Sequence, residues 1–408
     1  MNRLINSFLL TITSVVATPV IAGEIEQKQI EELRLELESL KQQIALQTNQ
    51  KTFTDPSNSI QPPTKPEKAS GVGFTNNGAE VNLYGFIRAD AAYQIEGGEG
   101  IFNRISKVAL NGDANKKSTE DRFDTTLTTT RIGLDFKTPI NDLNIAGKLE
   151  MDFRGGDKND TIRLRHVYMT LDNWLIGQTT SSFLSFETAP EILDFNTALG
   201  GGTTRTPMLR YNKKINRDTQ YFVGLEKGND ENRLPAATVK LSHKFAEGAG
   251  LLTSRALIQE VRLRSEDDET KLGWGVGLGV KYNPSNSLIV SADYSHVSGD
   301  NKFLLATDNK RYIKKDDDIS LIDFDAFQLG ATYKFNPKLR STIGYGAVFY
   351  DENNETENDS LQQGWLNLMY NPTKPITFGL EYIYGERETV DNRSGKDNRI
   401  EIMAKYDF

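Results

Sequence analysis

Along much of this 408-residue chain, charged side chains stand at every second position. Arg88, Arg131, Arg163, Arg165, Arg210, Arg262 and Arg340 are the main guanidinium members of the set, joined by Lys148, Arg264, Lys281, Lys334 and Lys405. Asp90, Asp135, Glu150, Asp152, Glu260 and Asp293 are acids of the same parity. The chemistry open to such a set is recognition, not bond making. A guanidinium grips a carboxylate through two parallel hydrogen bonds. One charge contact is worth about 1 kcal/mol in water-like surroundings and about 4 kcal/mol at an effective dielectric near 20. Two contacts give roughly −4 kcal/mol, about millimolar affinity, which lets a solute both bind and leave. Each arginine could equally pair with a neighbouring acid and meet no solute. Arg163, Arg165 and Arg210 lead the candidates because they flank one distinctive loop in sequence; Arg131 and Arg88 follow.

Catalytic chemistry finds little support. His166, His243 and His296 are the only histidines and there is no cysteine. His166 and His243 fall on the apolar parity of their segments, where an interfacial or protomer-contact role is expected. His296 lies near Ser291 and Ser295, but no spacing singles out a nucleophile. No metal-ligand cluster and no phosphate-cradling glycine motif is present, and GVGLG at 275–279 alternates small residues within a strand. An enzyme, a cofactor and a metal are therefore not expected, and a formal net charge of −8 argues against nucleic acid as a partner.

The elements that must hold these charges are β-strands. Side chains alternate faces along a strand, and the segment IAGKLEMDFR places Ile145, Leu149, Met151 and Phe153 opposite Lys148, Glu150, Asp152 and Arg154. The final residues, NRIEIMAKYDF, place Ile400, Ile402, Ala404, Tyr406 and Phe408 on one face and mainly charges on the other. Such runs recur near 80–95, 123–138, 143–154, 161–173, 174–179, 207–215, 219–227, 236–246, 251–265, 271–283, 287–298, 322–336, 338–350, 361–371, 375–387 and 398–408. Short connections carry Pro, as at Asn283-Pro284, Asn336-Pro337 and Asn371-Pro372. Long polar ones, near 96–122, 179–206, 299–320, 351–360 and 388–397, alternate with them. Short turns on one side and long loops on the other predict an all-β transmembrane barrel of about 16 antiparallel strands over residues 80–408. Sixteen strands leave a water-filled lumen. A soluble sandwich or propeller is disfavoured by strand length and by aromatics near strand ends: Tyr93, Tyr168, Trp174, Tyr282, Phe335, Tyr370 and Phe408 suit two interfacial girdles. Lysine or arginine on the lipid face would cost about 2–4 kcal/mol at the midplane, and the apolar parity nearly lacks them.

Three shorter segments precede the barrel. Residues 1–22 pair Arg3 with an apolar stretch and Val20-Ile21-Ala22, the pattern of a secretory signal peptide. Within 23–47, Ile30, Leu33, Leu37, Leu40 and Ile44 form an a/d seam, read as a short coiled coil in the periplasm. Residues 48–79, with Pro56, Pro62, Pro63 and Pro66, read as an extended linker. An even strand count returns both ends of the barrel to the coil's side of the outer membrane.

The connection at 179–206 differs from the other long ones. It carries Phe183, Leu184, Phe186, Ile192, Leu193 and Phe195, poor choices for a solvated tip, and Gly200, Gly201 and Gly202, which allow a tight return. It is expected to fold inward and narrow the lumen, contributing the acids Glu187, Glu191 and Asp194. Opposed rows of arginine and carboxylate would set up a transverse field, and rings of arginine favour anions.

The runs RLRHVYMTLDNWLIGQTTSSFLS at 163–185, APEILDF at 189–195 and GGGTTRTPMLRY at 200–211 resemble the DcaP-like porins. LYGFIRADAAY at 83–93 and EYIYGERE at 381–388 agree with them. The resemblance implies a homotrimeric outer-membrane channel for small dicarboxylates. The alternative is a chiefly structural outer-membrane protein whose coil contacts the cell wall or a periplasmic partner. About 24 helical residues span only about 36 Å, which suits a trimerisation coil better than a tether.

Overall fold

In hydrocarbon each backbone N–H and C=O must be paired within the protein, and a sheet achieves this only by closing on itself. The computed structural model describes residues 72–76, 78–140, 143–196, 198–264, 268–299, 302–304, 312–315, 318–351 and 358–408. The expected signal peptide, coiled coil and most of the linker lie outside the described residues. The strands are β1 (Val72–Asn76), β2 (Ala79–Glu96), β3 (Arg122–Thr126), β4 (Arg131–Ile140), β5 (Leu143–Gly155), β6 (Thr161–Leu171), β7 (Trp174–Thr180), β8 (Arg205–Lys214), β9 (Thr219–Glu226), β10 (Ala236–Phe245), β11 (Gly250–Leu263), β12 (Glu269–Tyr282), β13 (Leu288–Ser298), β14 (Tyr312–Lys315), β15 (Asp318–Leu321), β16 (Asp323–Asn336), β17 (Leu339–Tyr350), β18 (Asn358–Tyr370), β19 (Ile376–Thr389) and β20 (Ser394–Asp407).

Eighteen of these share one antiparallel sheet. β3 and β4 are two halves of one wall position, since both pair with β2, and β1 stands outside the ring. Sixteen wall positions remain. β20 returns to β2 with Ile87 opposite Tyr406 and Ala91 opposite Ile402, which closes the barrel. At the seam the Gly85 and Phe408 backbones exchange two hydrogen bonds of 3.0 Å. Outward positions carry exposed apolar side chains such as Ile87, Leu134, Ile176, Leu278 and Ile402, and inward positions carry buried charges. No helix among the described residues is long and apolar enough to cross a membrane.

Three departures from the sequence reading have local causes. The end of the supposed linker forms β1, which pairs with β2 below Phe408, Phe74 facing Val81. The connections 96–122 and 299–320, read as polar loops, bury Ile105, Val108, Phe303, Leu304 and Ile313, and Ile322 beside the second is buried with them. Part of the second loop is the β14–β15 hairpin. These side chains join Phe183, Leu184 and Leu199 from 181–204 and meet wall residues Phe324, Val348 and Leu361 in one apolar cluster. Water-exposed loops would leave these side chains wet, so they pack against the inner faces of the wall. The barrel interior is thus partly a dry core.

The third departure is a β-bulge in β6. Glu150 of β5 lies opposite His166, but Met151 lies opposite Leu164, so Arg165 is the extra residue. Alternation is reset there. His166 and Tyr168, placed on the outer face by strict alternation, share the inward face instead.

Candidate functional site

The bulge lets β6 turn two consecutive polar side chains into the barrel. Arg165 donates to Glu150 at 2.9 Å and to Asp152 at 2.7 Å. The His166 ring nitrogen Nδ1 is 2.9 Å from the Thr179 hydroxyl. Arg163 holds Asp152 through two hydrogen bonds of 2.9 and 2.7 Å, and Arg131 reaches Glu150 at 3.4 Å. Tyr84 donates to the other Glu150 oxygen at 2.8 Å and accepts from Lys148 at 2.7 Å. Register explains this ladder: Arg131 pairs with Asp152 across β4 and β5, and Asp135 with Lys148. On one face of adjacent strands, opposite charges attract.

Two further guanidiniums join this wall. Arg154 of β5 lies over the Phe102 ring at 4.9 Å and donates to the Thr128 hydroxyl at 3.4 Å. Arg205, at the start of β8, stands in the field of Arg165, Arg163 and Arg131. Neither has a carboxylate ion pair among the described residues. Arg131, Arg154, Arg163, Arg165 and Arg205 thus outnumber the two wall carboxylates, Glu150 and Asp152, by three, while Asp194 and Asp90, paired with Arg399 and Arg88, also stand in the field of Arg154. Arg163 keeps 34% of its side chain exposed, so the cluster is not sealed.

The segment 181–204 crosses to the wall strands beyond. The Ser182 amide donates to Glu226 at 2.8 Å, and Glu187 forms an ion pair with Lys240. Glu191 is held by Arg340 at 2.7 Å, while its carbonyl accepts from the Trp365 indole at 2.9 Å. The Leu193 and Asp194 amides donate to the two oxygens of Glu381 at 2.8 and 2.9 Å. Asp194 itself pairs with Arg399. Burial holds the Asp194 carboxyl above its ordinary range, although the Arg399 guanidinium beside it acts in the opposite direction. The Gln328 side-chain amide donates to the Ala198 carbonyl at 3.0 Å, and the Leu199 amide to Gln363 at 3.0 Å. Gly200, at φ +82, lets the chain pass so close to β16 that a Cβ would stand 2.2 Å from the Phe327 carbonyl oxygen.

The sequence candidates thus separate into groups. Arg131, Arg163 and Arg165 come together on the wall. Arg88 and Arg340 serve the loop: Arg88 donates to the Leu193 carbonyl at 2.7 Å and pairs with Asp90 at 2.6 Å. Arg210 lies beside the Phe222 ring at 5.5 Å and reaches the Thr180 carbonyl at 3.5 Å. It has no ion pair among the described residues, and its Nε is buried without a partner. Arg262 is not brought into the group; it pairs with Asp268, Nη2 to Oδ2 at 2.6 Å, at the end of β11. The loop acids Glu187, Glu191 and Asp194 do not form an open row facing the arginines. Each is turned onto a wall cation, because a buried carboxylate needs a partner.

Alternation by itself left Arg154, Arg205, Lys240, Arg399 and Glu381 outside the candidate set. Arg154 and Arg399 lie on the polar parity of their strands, which is a usable signal. Arg205 sits where the strand pattern has not yet begun, and only its position in space reveals it. Among the described residues no group of histidines and carboxylates could hold a metal ion.

Comparison with known proteins bears on this arrangement. The model of the DcaP outer membrane protein family matches residues 27–408. The outer membrane channel DcaP of Acinetobacter baumannii is 44% identical in sequence, with a TM-score of 0.77 over 82% of this chain and 99% of that one. OmpF of Salmonella typhi is 14% identical (TM-score 0.58, covering 83% of this chain and 100% of that one), and an anion-selective porin from Comamonas acidovorans is 13% identical (TM-score 0.55, 81% and 100%). Those two likenesses concern the fold alone. No curated protein matches the sequence. A closed sixteen-stranded barrel, apolar outside and charged within, together with these matches, makes the chain an outer-membrane β-barrel channel, and it belongs to the DcaP outer membrane protein family.

Proposed function

We propose that this channel passes small anionic solutes by passive diffusion, dicarboxylates foremost, and that segment 181–204 narrows its passage against the arginine wall. The observation that carries this reading is the excess of guanidinium groups over carboxylates on β4, β5, β6 and β8. A solute with two carboxylates could bridge two of these cations and compensate their mutual repulsion, whereas a cation entering there would add to it. Because Glu150 and Asp152 already share the cluster, an arriving carboxylate competes with them. Binding stays weak, and a channel needs release as much as capture. The apolar packing of Ile105, Val108, Phe303, Leu304 and Ile313 from the connections 96–122 and 299–320 supports a passage confined to the arginine side.

The assembly we infer is a homotrimer in the outer membrane, exported by the signal peptide at 1–22. The seam at 23–47 would associate as a periplasmic coiled coil, covering a stripe that a lone helix of that length leaves exposed. Reversal potentials in planar bilayers under a salt gradient test the solute reading, with and without millimolar succinate. Anion preference with succinate-induced block is expected; cation-selective current without block rejects it. Mass measurement in detergent, with and without residues 23–47, tests the trimer.

A further inference from the structure

One aromatic ring of segment 181–204 meets the arginine cluster directly. The Phe195 ring centroid lies 5.4 Å from Cζ of Arg88, 5.7 Å from Arg165, 5.8 Å from Arg131 and 5.9 Å from Arg154. Four guanidiniums thus surround a single half-buried ring, all near the outer limit of about 6 Å for attraction between a cation and a π face. Its neighbour in sequence, Asp194, acts on Arg88 and Arg154 through space but makes its direct ion pair with Arg399. At Phe195 the segment presents an apolar ring to these four guanidiniums.

The backbone around this ring is fixed. Arg88 holds the Leu193 carbonyl, Glu381 holds the Leu193 and Asp194 amides, and the Asn196 side chain donates to the Phe102 carbonyl at 3.0 Å. Phe102 packs against Phe195 with centroids 6.0 Å apart. With both flanks tied, movement at this site falls to the torsions of the Phe195 side chain. A ring face attracts a guanidinium more weakly than a carboxylate does, so a carboxylate that arrives can take its place.

We infer that Phe195 is the specificity-determining residue of the passage: a weak, built-in competitor that occupies the guanidinium cluster between solutes. This rests on the anion-channel reading above. The ring partly compensates the clustered cations when no solute is present, yields to a carboxylate, and returns as the solute leaves. Its return shortens the solute's stay, which keeps binding from becoming a trap.

The test is single-channel recording of the full-length protein with succinate as probe, comparing wild type, Phe195→Leu and Phe195→Ala. Leucine retains most of the bulk but has no π face. Each succinate block should last about three-fold longer than in wild type. Alanine should lengthen the block similarly and raise conductance as well. Unchanged or shorter blocks in both variants, in a channel whose wild type is blocked by succinate, overturn the inference and leave the anion channel standing. A wild type that neither prefers anions nor is blocked removes the underlying reading and this inference together.

Discussion

Glu191 and Arg340 are 149 residues apart in sequence, yet the guanidinium makes three contacts of 2.7, 2.9 and 3.1 Å with that one carboxylate. Arg340 also donates to the Asn371 side chain at 2.6 Å, which fixes it to the neighbouring strand connection. The segment between β7 and β8 is therefore tied to β17 by a charged clasp near the middle of its length.

Replacing Arg340 by Ala should release this clasp. Both partners are about 30% exposed, so the expected cost is moderate, about 1–2 kcal/mol. The readout is current noise: open-channel fluctuations should increase and conductance should vary between channels. The Glu191→Gln, Arg340→Ala double variant should resemble the single ones, because the two side chains act as a pair.

Arg399 is fully buried among Asp194, Asp397 and Glu401. Arg399→Met would leave these carboxylates without their cation, a loss on the order of 3–5 kcal/mol. The barrel should unfold at lower temperature, read as loss of heat-resistant migration in detergent gels. Arg399→Lys should recover part of the loss, since lysine restores the charge but not the forked geometry that serves three acids.

Arg205 and Arg262 provide a matched pair for electrostatics. Arg205→Gln reduces the surplus on the arginine wall from three charges to two and should lower the anion-to-cation permeability ratio about two-fold. Arg262→Gln removes the same charge from a pair with Asp268 at the end of β11 and should alter that ratio little. Equal effects of both would mean that overall charge, not the wall, sets selectivity.

Gly200→Ala places a methyl group against the Phe327 carbonyl at a backbone conformation that side chains disfavour. The segment should lift from β16, with greater protease sensitivity within 181–204 and altered conductance. The barrel strands themselves should form normally.

The sequence by itself determined the barrel. Alternation in IAGKLEMDFR and NRIEIMAKYDF assigns each side chain to lipid or lumen, and sixteen such runs reach closure, because a strand's period of two is a local property. The bulge at Arg165 escaped strict alternation, which places His166 and Tyr168 on the wrong face, although the change of parity from Leu164 to Val167, Met169 and Leu171 marks it. Tertiary structure alone decided what the charges do. Arg163 and Arg165 reach the wall cluster while Arg88 and Arg340 hold a loop, and nothing in their spacing separates the two roles. The division depends on which residues of 181–204 arrive opposite each of them, a matter of contacts across 100 or more positions. Burial then requires each loop carboxylate to find a cation, and Arg154 and Arg205 are left without a carboxylate ion pair among the described residues.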